Sequence, residues 1–185
     1  MKLQLELVEL TVERIDADAL LLAVDGQLCR LGGAAAGALR LALAPEERAD
    51  ELEYVEDQLA RLRPVPHPQA RLIDGVARWR KLLVSAAYPH NVDGVIHTPD
   101  DCARMIRNAI PAALALAEAH QLASVAATLI GTAYRMSAEL AVRAFADGLR
   151  TAAAHHVIVR WSLPDATHRQ LAAAAAARIG IPVRA

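Results

Sequence analysis

The chain is 185 residues long, 55% hydrophobic, with a formal charge of -1. That length buries one real core, so a single domain over 1–185 is expected, and the absent basic surplus argues against a nucleic-acid partner. No apolar run reaches the roughly 18 residues that cross a bilayer, and MKLQLELVEL has no signal-type apolar centre, so a cytoplasmic protein without membrane contact is the default expectation.

Leu3, Leu5, Val8 and Leu10 alternate with polar residues and predict a first strand. ADALLLAVD, residues 17–25, is a continuous apolar run of a length that suits a strand covered on both faces. LGGAAAGALR, residues 31–40, then opens a helix near Gly33 that runs to about Leu43, before Pro45. A glycine pair at such a junction either presents backbone N–H groups to an anion or makes a tight strand-to-helix turn. Leu52, Val55, Leu59 and Leu62 repeat at helical spacing, with acids leading and arginines trailing as the helix dipole favours. PVPHP at 64–68 ends that helix.

ARLIDG and RKLLVSAAYP read as a pair of strands, followed by the polar loop HNVDGVIHTPDD. Asp100 or Asp101 is expected to cap the next helix, with a kink at Pro111. ASVAATLIGTAY reads as a buried strand ending in Gly131, and SAELAVRAFADGLRTAAA as a helix with Ser137 and Glu139 in its first turn. HHVIVRW is a strand, and DATHRQLAAAAAARIG a last helix stopped by Gly180 before IPVR. About six strands connected by helices of crossover length predict an α/β fold: a mixed, largely parallel sheet with helices on both faces, in three α/β/α layers.

Several residues carry chemistry. Cys29 and Cys102 are far apart and outside any CxxC, so both are expected as small buried side chains. Asp25, at a strand end beside Gly26, is a candidate general base or a turn former bonded to local backbone. His90, Asp93 and His97 share one loop, where a solvated loop is favoured over a metal site. His155 and His156 are expected at a helix end, and Trp79 and Trp161 as packing residues. Tyr88 and Tyr134 fall on candidate ligand loops, either to stack on a base or ribose or to close a cleft; Arg135 would meet a phosphate or offset Asp25. No hydrolase triad, HExxH, Walker loop or paired glutamates stand at recognisable spacing, and no metal or cofactor is expected.

DADALLLAVDGQLCRLGGAAAGAL resembles the macro-domain signature, an Asp-Ala-Ile-Val-Asn-Ala-Ala-Asn strand followed by a glycine-rich turn and a Gly-Ala-Ile helix. KLLVSAAYP is similar to the family's strand ending in Ile-His-Thr-Val-Gly-Pro, and LASVAATLIGTAYRMSAELA to its Ile-Ala-Phe-Pro-Ala-Ile-Gly-Thr-Gly strand and phosphate loop. The likeness extends in order over nearly the whole chain. It implies a domain that binds ADP-ribose, with the diphosphate between two loops at strand ends. The positions that match the family's ligand loops are Gly32, Gly33 and Gly37 in the first loop and helix and Gly131 and Thr132 in the second; Ala133, Tyr134 and Arg135, on the second loop, and Tyr88, at the end of the strand between, complete the candidate ligand-binding set.

Other positions depart from the family. Its adenine-reading Asp falls at Thr11, its two asparagines at Leu22 and Asp25, and the Asp of its hydrolytic members at Ala36. The lost carboxylate is worth roughly 1.5 to 3 kcal/mol of binding. Ala133 and Met136 replace loop glycines, and Asp25 sets a carboxylate near a diphosphate. Three readings follow: a non-catalytic reader or sensor of ADP-ribose or a related nucleotide; a fold that has lost its ligand and serves protein interaction or assembly; and a weak hydrolase of ADP-ribose derivatives using Asp25. Alanine-rich, aromatic-poor helices also leave a homo-oligomer open.

Overall fold

The computed structural model describes residues 3–43, 45–90, 97–132 and 135–184. In chain order these form β1 (Gln4–Val8), a 3-10 turn (Val12–Arg14), β2 (Ala19–Asp25), α1 (Gly33–Ala42), α2 (Arg48–Leu62), β3 (Ala70–Asp74) and β4 (Lys81–Tyr88). Then come α3 (Pro99–Ala119), β5 (Ser124–Ala127), α4 (Ala138–Thr151), β6 (Ile158–Ser162), α5 (Ala166–Ile179) and β7 (Val183–Arg184). The strands make one sheet in the order β3-β4-β2-β5-β6-β1-β7. Only β3 is antiparallel, paired with β4 as the hairpin the sequence predicts. The seventh strand is the short β7, which pairs beside β1.

The run in β2 explains the layers. Side chains alternate across a strand, so a strand apolar at every position feeds two cores. Leu20, Leu22 and Val24 enter one core with Ala35, Leu39, Val55 and Leu59 of α1 and α2. Ala19 and Leu21 enter the other, built with α3, α4 and α5 around Ile106, Phe145 and Trp161. Trp161 stacks on Phe145 with centroids 4.4 Å apart, and Trp79 donates its indole N–H to the Ile15 carbonyl at 3.2 Å. Both tryptophans are core residues. Both cysteines are free and buried, and burial pushes each thiol pKa up.

Asp18 clamps the end of the sheet opposite the cleft described below. Its Oδ2 accepts the N–H groups of Ala123 and Ser124 at 2.7 and 3.2 Å, which ties β2 to β5. Two local expectations differ from the structure. The cap of α3 is Thr98, whose hydroxyl accepts the Asp101 N–H while the Asp101 carboxylate accepts the Thr98 N–H, a reciprocal capping box. His155 and His156 lie beyond the end of α4, where their N–H groups donate to Glu118 Oε1 at 2.8 and 3.1 Å. α3 runs through Pro111 as one helix. Among the described residues no helix is long and apolar enough to cross a membrane.

Candidate functional site

With six of the seven strands parallel, the carboxyl ends of β2, β4, β5 and β6 meet at one edge of the sheet, where connecting loops leave a crevice. The β2–α1 connection forms its first wall. Asp25 Oδ1 accepts the N–H groups of Gln27 at 2.8 Å and Leu28 at 3.1 Å, and the Asp25 carbonyl accepts the Cys29 N–H. This is the local turn that an aspartate at a strand end makes. Its other oxygen, Oδ2, lies 3.2 Å from His90 Nδ1, and the His90 carbonyl lies 3.0 Å from His97 Nε2. Both carboxylate oxygens of Asp25 are thus engaged within the chain.

α1 begins with Gly32 at its N-cap and Gly33 at φ +69°, a left-handed value that a side chain disfavours. No side chain caps this end, and no acidic residue stands in its first turn. Nothing lies within 4 Å of where a Cβ would stand at Gly32, Gly33 or Gly37. The first turn therefore presents uncapped N–H donors and the positive end of the helix dipole, over a backbone without side-chain cover.

The β5–α4 loop forms the second wall. Gly131 has φ +111°, and a Cβ there would lie 2.6 Å from Met136 Sδ and 3.0 Å from Ile106 Cδ1. Met136 is buried in the core beside Gly131. It does not occupy a phosphate path, because its side chain packs inward against α3. Gly131 donates its N–H to the Tyr88 hydroxyl at 3.2 Å. Thr132 lines the crevice, and Arg135 is exposed at φ +58°. Ala133, Tyr134 and Asp93 lie outside the described residues.

Two adjoining cavities fill the crevice. One, of about 20 Å³, is bounded by Gly32, Gly33, Tyr88, Thr128 and Thr132. The other, of about 360 Å³, lies over Gly37, Ala38 and Leu41 of α1 and is closed by Thr11, Val12 and Glu13 on one side and by Ser162, Pro164 and His168 on the other. They share Ala34, Thr128, Leu129 and Thr132. The larger wall is mainly apolar, with the Glu13 carboxylate as its acid, accepting the Thr11 hydroxyl. Volume, apolar lining and a few convergent polar groups are the marks of a small-molecule site. Thr11 and Glu13 share the turn after β1; the imidazole of His168 arrives from the first turn of α5, whose cap Asp165 accepts the His168 N–H at 3.0 Å. That bond holds the Asp165 carboxyl below its usual range. Neither Glu13 nor His168 carries a sequence signal of its own, since each borders the cleft only once β1, β6 and α1 are packed.

Another cavity of about 340 Å³ lies between residues 28–31 and α2, lined by Arg30, Arg63, Glu56 and Asp57. Its charges are of mixed sign and no glycine turn opens onto it, so the candidate site is the crevice at the strand ends. No group of three His, Cys, Asp or Glu placed to hold a metal occurs among the described residues.

No protein-family model and no curated protein sequence matches the chain. Solved structures do match. A mutant macrodomain of Oceanobacillus iheyensis with ADPR superposes with a TM-score of 0.69 at 16% identity, over 95% of this chain and 91% of that one. The Oceanobacillus iheyensis macrodomain with ADP gives 0.67 at 17% identity, over 91% and 87%. The Trypanosoma brucei macrodomain in complex with ADP gives 0.63 at 18% identity, over 94% and 67%. With the sheet order, the two cores and the crevice in place, the likeness over nine-tenths of the chain establishes that this protein has the macrodomain fold.

Proposed function

We propose that the crevice binds a nucleotide-like small molecule, its base and sugar in the 360 Å³ cavity and its first phosphate against the N-terminus of α1. One observation carries this reading: an uncapped helix N-terminus, bare of side chains at Gly32 and Gly33, opens beside an apolar cavity at the carboxyl ends of parallel strands. The structural neighbours named with ADP and ADPR support the same ligand class. The domain acts as a reader rather than a hydrolase. Asp25 has both oxygens committed to its own turn and to His90, and Ala36, where the family's hydrolytic members carry an aspartate, is buried without a polar group.

Calorimetric titration of the purified domain with AMP and with ADP tests the reading. A dissociation constant in the micromolar range is expected; absence of heat for both at millimolar ligand contradicts it. The interaction-module reading draws on the narrowness of the crevice at Tyr88 and on Leu41, 68% exposed beside the larger cavity. A domain deaf to nucleotides would favour it.

A further inference from the structure

We infer that Tyr88 closes the phosphate end of the crevice and so limits the ligand to a nucleoside with a short phosphate, excluding one that continues through a diphosphate into a second sugar. The inference rests on the nucleotide reading above and narrows it.

The strand itself is built to aim this ring. Val24 pairs with Ala86, yet Asp25 pairs with Tyr88, so β4 carries one extra residue at Ala87. Such a bulge breaks the alternation of side chains and re-aims the next one. Accordingly Leu82, Val84 and Ala86 enter the core under α1 and α2, whereas Ala87 and Tyr88, although successive, both pack on the opposite core. On that side the Tyr88 hydroxyl reaches Gly131 and accepts its N–H at 3.2 Å. The donor that a phosphate oxygen would take from the second loop is occupied by an oxygen of the chain itself.

The space left between Tyr88, the glycine pair, Thr128 and Thr132 is about 20 Å³. A water needs about 10–15 Å³, so the space takes one oxygen-sized group and no ribose. The adjoining 360 Å³ falls in the range of ordinary ligand pockets and admits a nucleoside. A ligand seated there can put a phosphate oxygen at the shared wall of Ala34 and Thr132; one that continues through a diphosphate into a second sugar must displace a ring packed on the core and tied to Gly131.

The test is calorimetric titration of the wild type, Tyr88→Gly and Tyr88→Phe with AMP and ADP-ribose. The wild type should bind AMP at least tenfold more tightly than ADP-ribose. Tyr88→Gly should bring the two within about threefold, and Tyr88→Phe, which keeps the ring and loses its tether, should narrow the preference for AMP over ADP-ribose by about threefold. A wild type that binds ADP-ribose as tightly as AMP overturns the role of Tyr88 and leaves the nucleotide reading standing. So does an AMP preference that both variants leave intact. A wild type that binds neither ligand refutes the nucleotide reading and this inference with it.

Discussion

His90 Nδ1 lies 3.2 Å from Asp25 Oδ2, while Asp25 Oδ1 accepts the N–H groups of Gln27 and Leu28. One carboxylate thereby joins the loop after β4 to the turn that leads into α1. Asp25→Ala removes the acceptor from two backbone donors and should destabilise the domain by about 1–3 kcal/mol, the usual cost of orphaning charge-assisted bonds. Asp25→Asn keeps an acceptor oxygen for the turn and should lose less than half as much. Urea unfolding of the three proteins checks the order; equal stability of wild type and Asp25→Ala would contradict it.

Met136 is a core residue, so restoring a glycine there should not open a binding site. Met136→Gly removes a side chain packed against Gly131 and Ile106 and should cost about 2–5 kcal/mol, as large-to-small core changes do. Nucleotide affinity should not improve at temperatures where the variant remains folded. Denaturation and titration on the same sample separate the two effects.

Acid should weaken the fold through identifiable carboxyls. The His155 N–H, chiefly, holds Glu118 below its ordinary value, and the Thr98 hydroxyl does the same for Asp101. A depressed carboxyl stabilises the folded state fully above its unfolded pKa, near 4, and loses that contribution as pH falls through the lower folded value. Thermal midpoints should therefore hold from pH 7 to about 5 and drop below about 4. Glu118→Gln and Asp101→Asn should each start lower at neutral pH and drop less on acidification; an unchanged acid slope in both would contradict the assignment.

Glu13 supplies the carboxylate of the larger cavity and is oriented by the Thr11 hydroxyl. Its acceptor oxygens suit a base bearing an amino group. Glu13→Ala should weaken AMP binding by about one to two decades, the worth of a charge-assisted hydrogen bond. Inosine monophosphate, which lacks the amino group, should bind the wild type and Glu13→Ala about equally.

The layers of the fold were legible because they rest on local pattern. A strand apolar at every position, as in ALLLAVD, has to be covered on both faces, and GG before AAAGAL marks a helix entry whatever the rest of the chain does. The candidate crevice was legible at its loops, where the sequence singles out Gly32, Gly33, Gly37, Gly131, Thr132 and Tyr88. The orientation of Tyr88 was not, because alternation from Leu82 onward assigns its ring to the other face and only the extra residue at Ala87 turns it to the crevice. Met136 has the spacing of a loop residue, yet Gly131 at positive φ leaves room beneath it for a core side chain. The histidines at 155 and 156 follow an alanine-rich stretch with high helix propensity, but α4 stops at Thr151, and Glu118 of α3 takes their N–H groups instead.

Gly37 gives the proposed seat of a nucleotide over α1 its sharpest test. This glycine sits inside α1, lines the larger cavity, and has open space where a side chain would go. Gly37→Leu should fill the cavity without harming the fold, and it should raise stability by up to about 1 kcal/mol through helix propensity. The measurement is AMP titration of wild type and Gly37→Leu side by side. Micromolar binding by the wild type, weakened at least tenfold in a variant that is as stable or more so, is the predicted result. Equal affinity in the two proteins, or no binding in the wild type, would contradict the account.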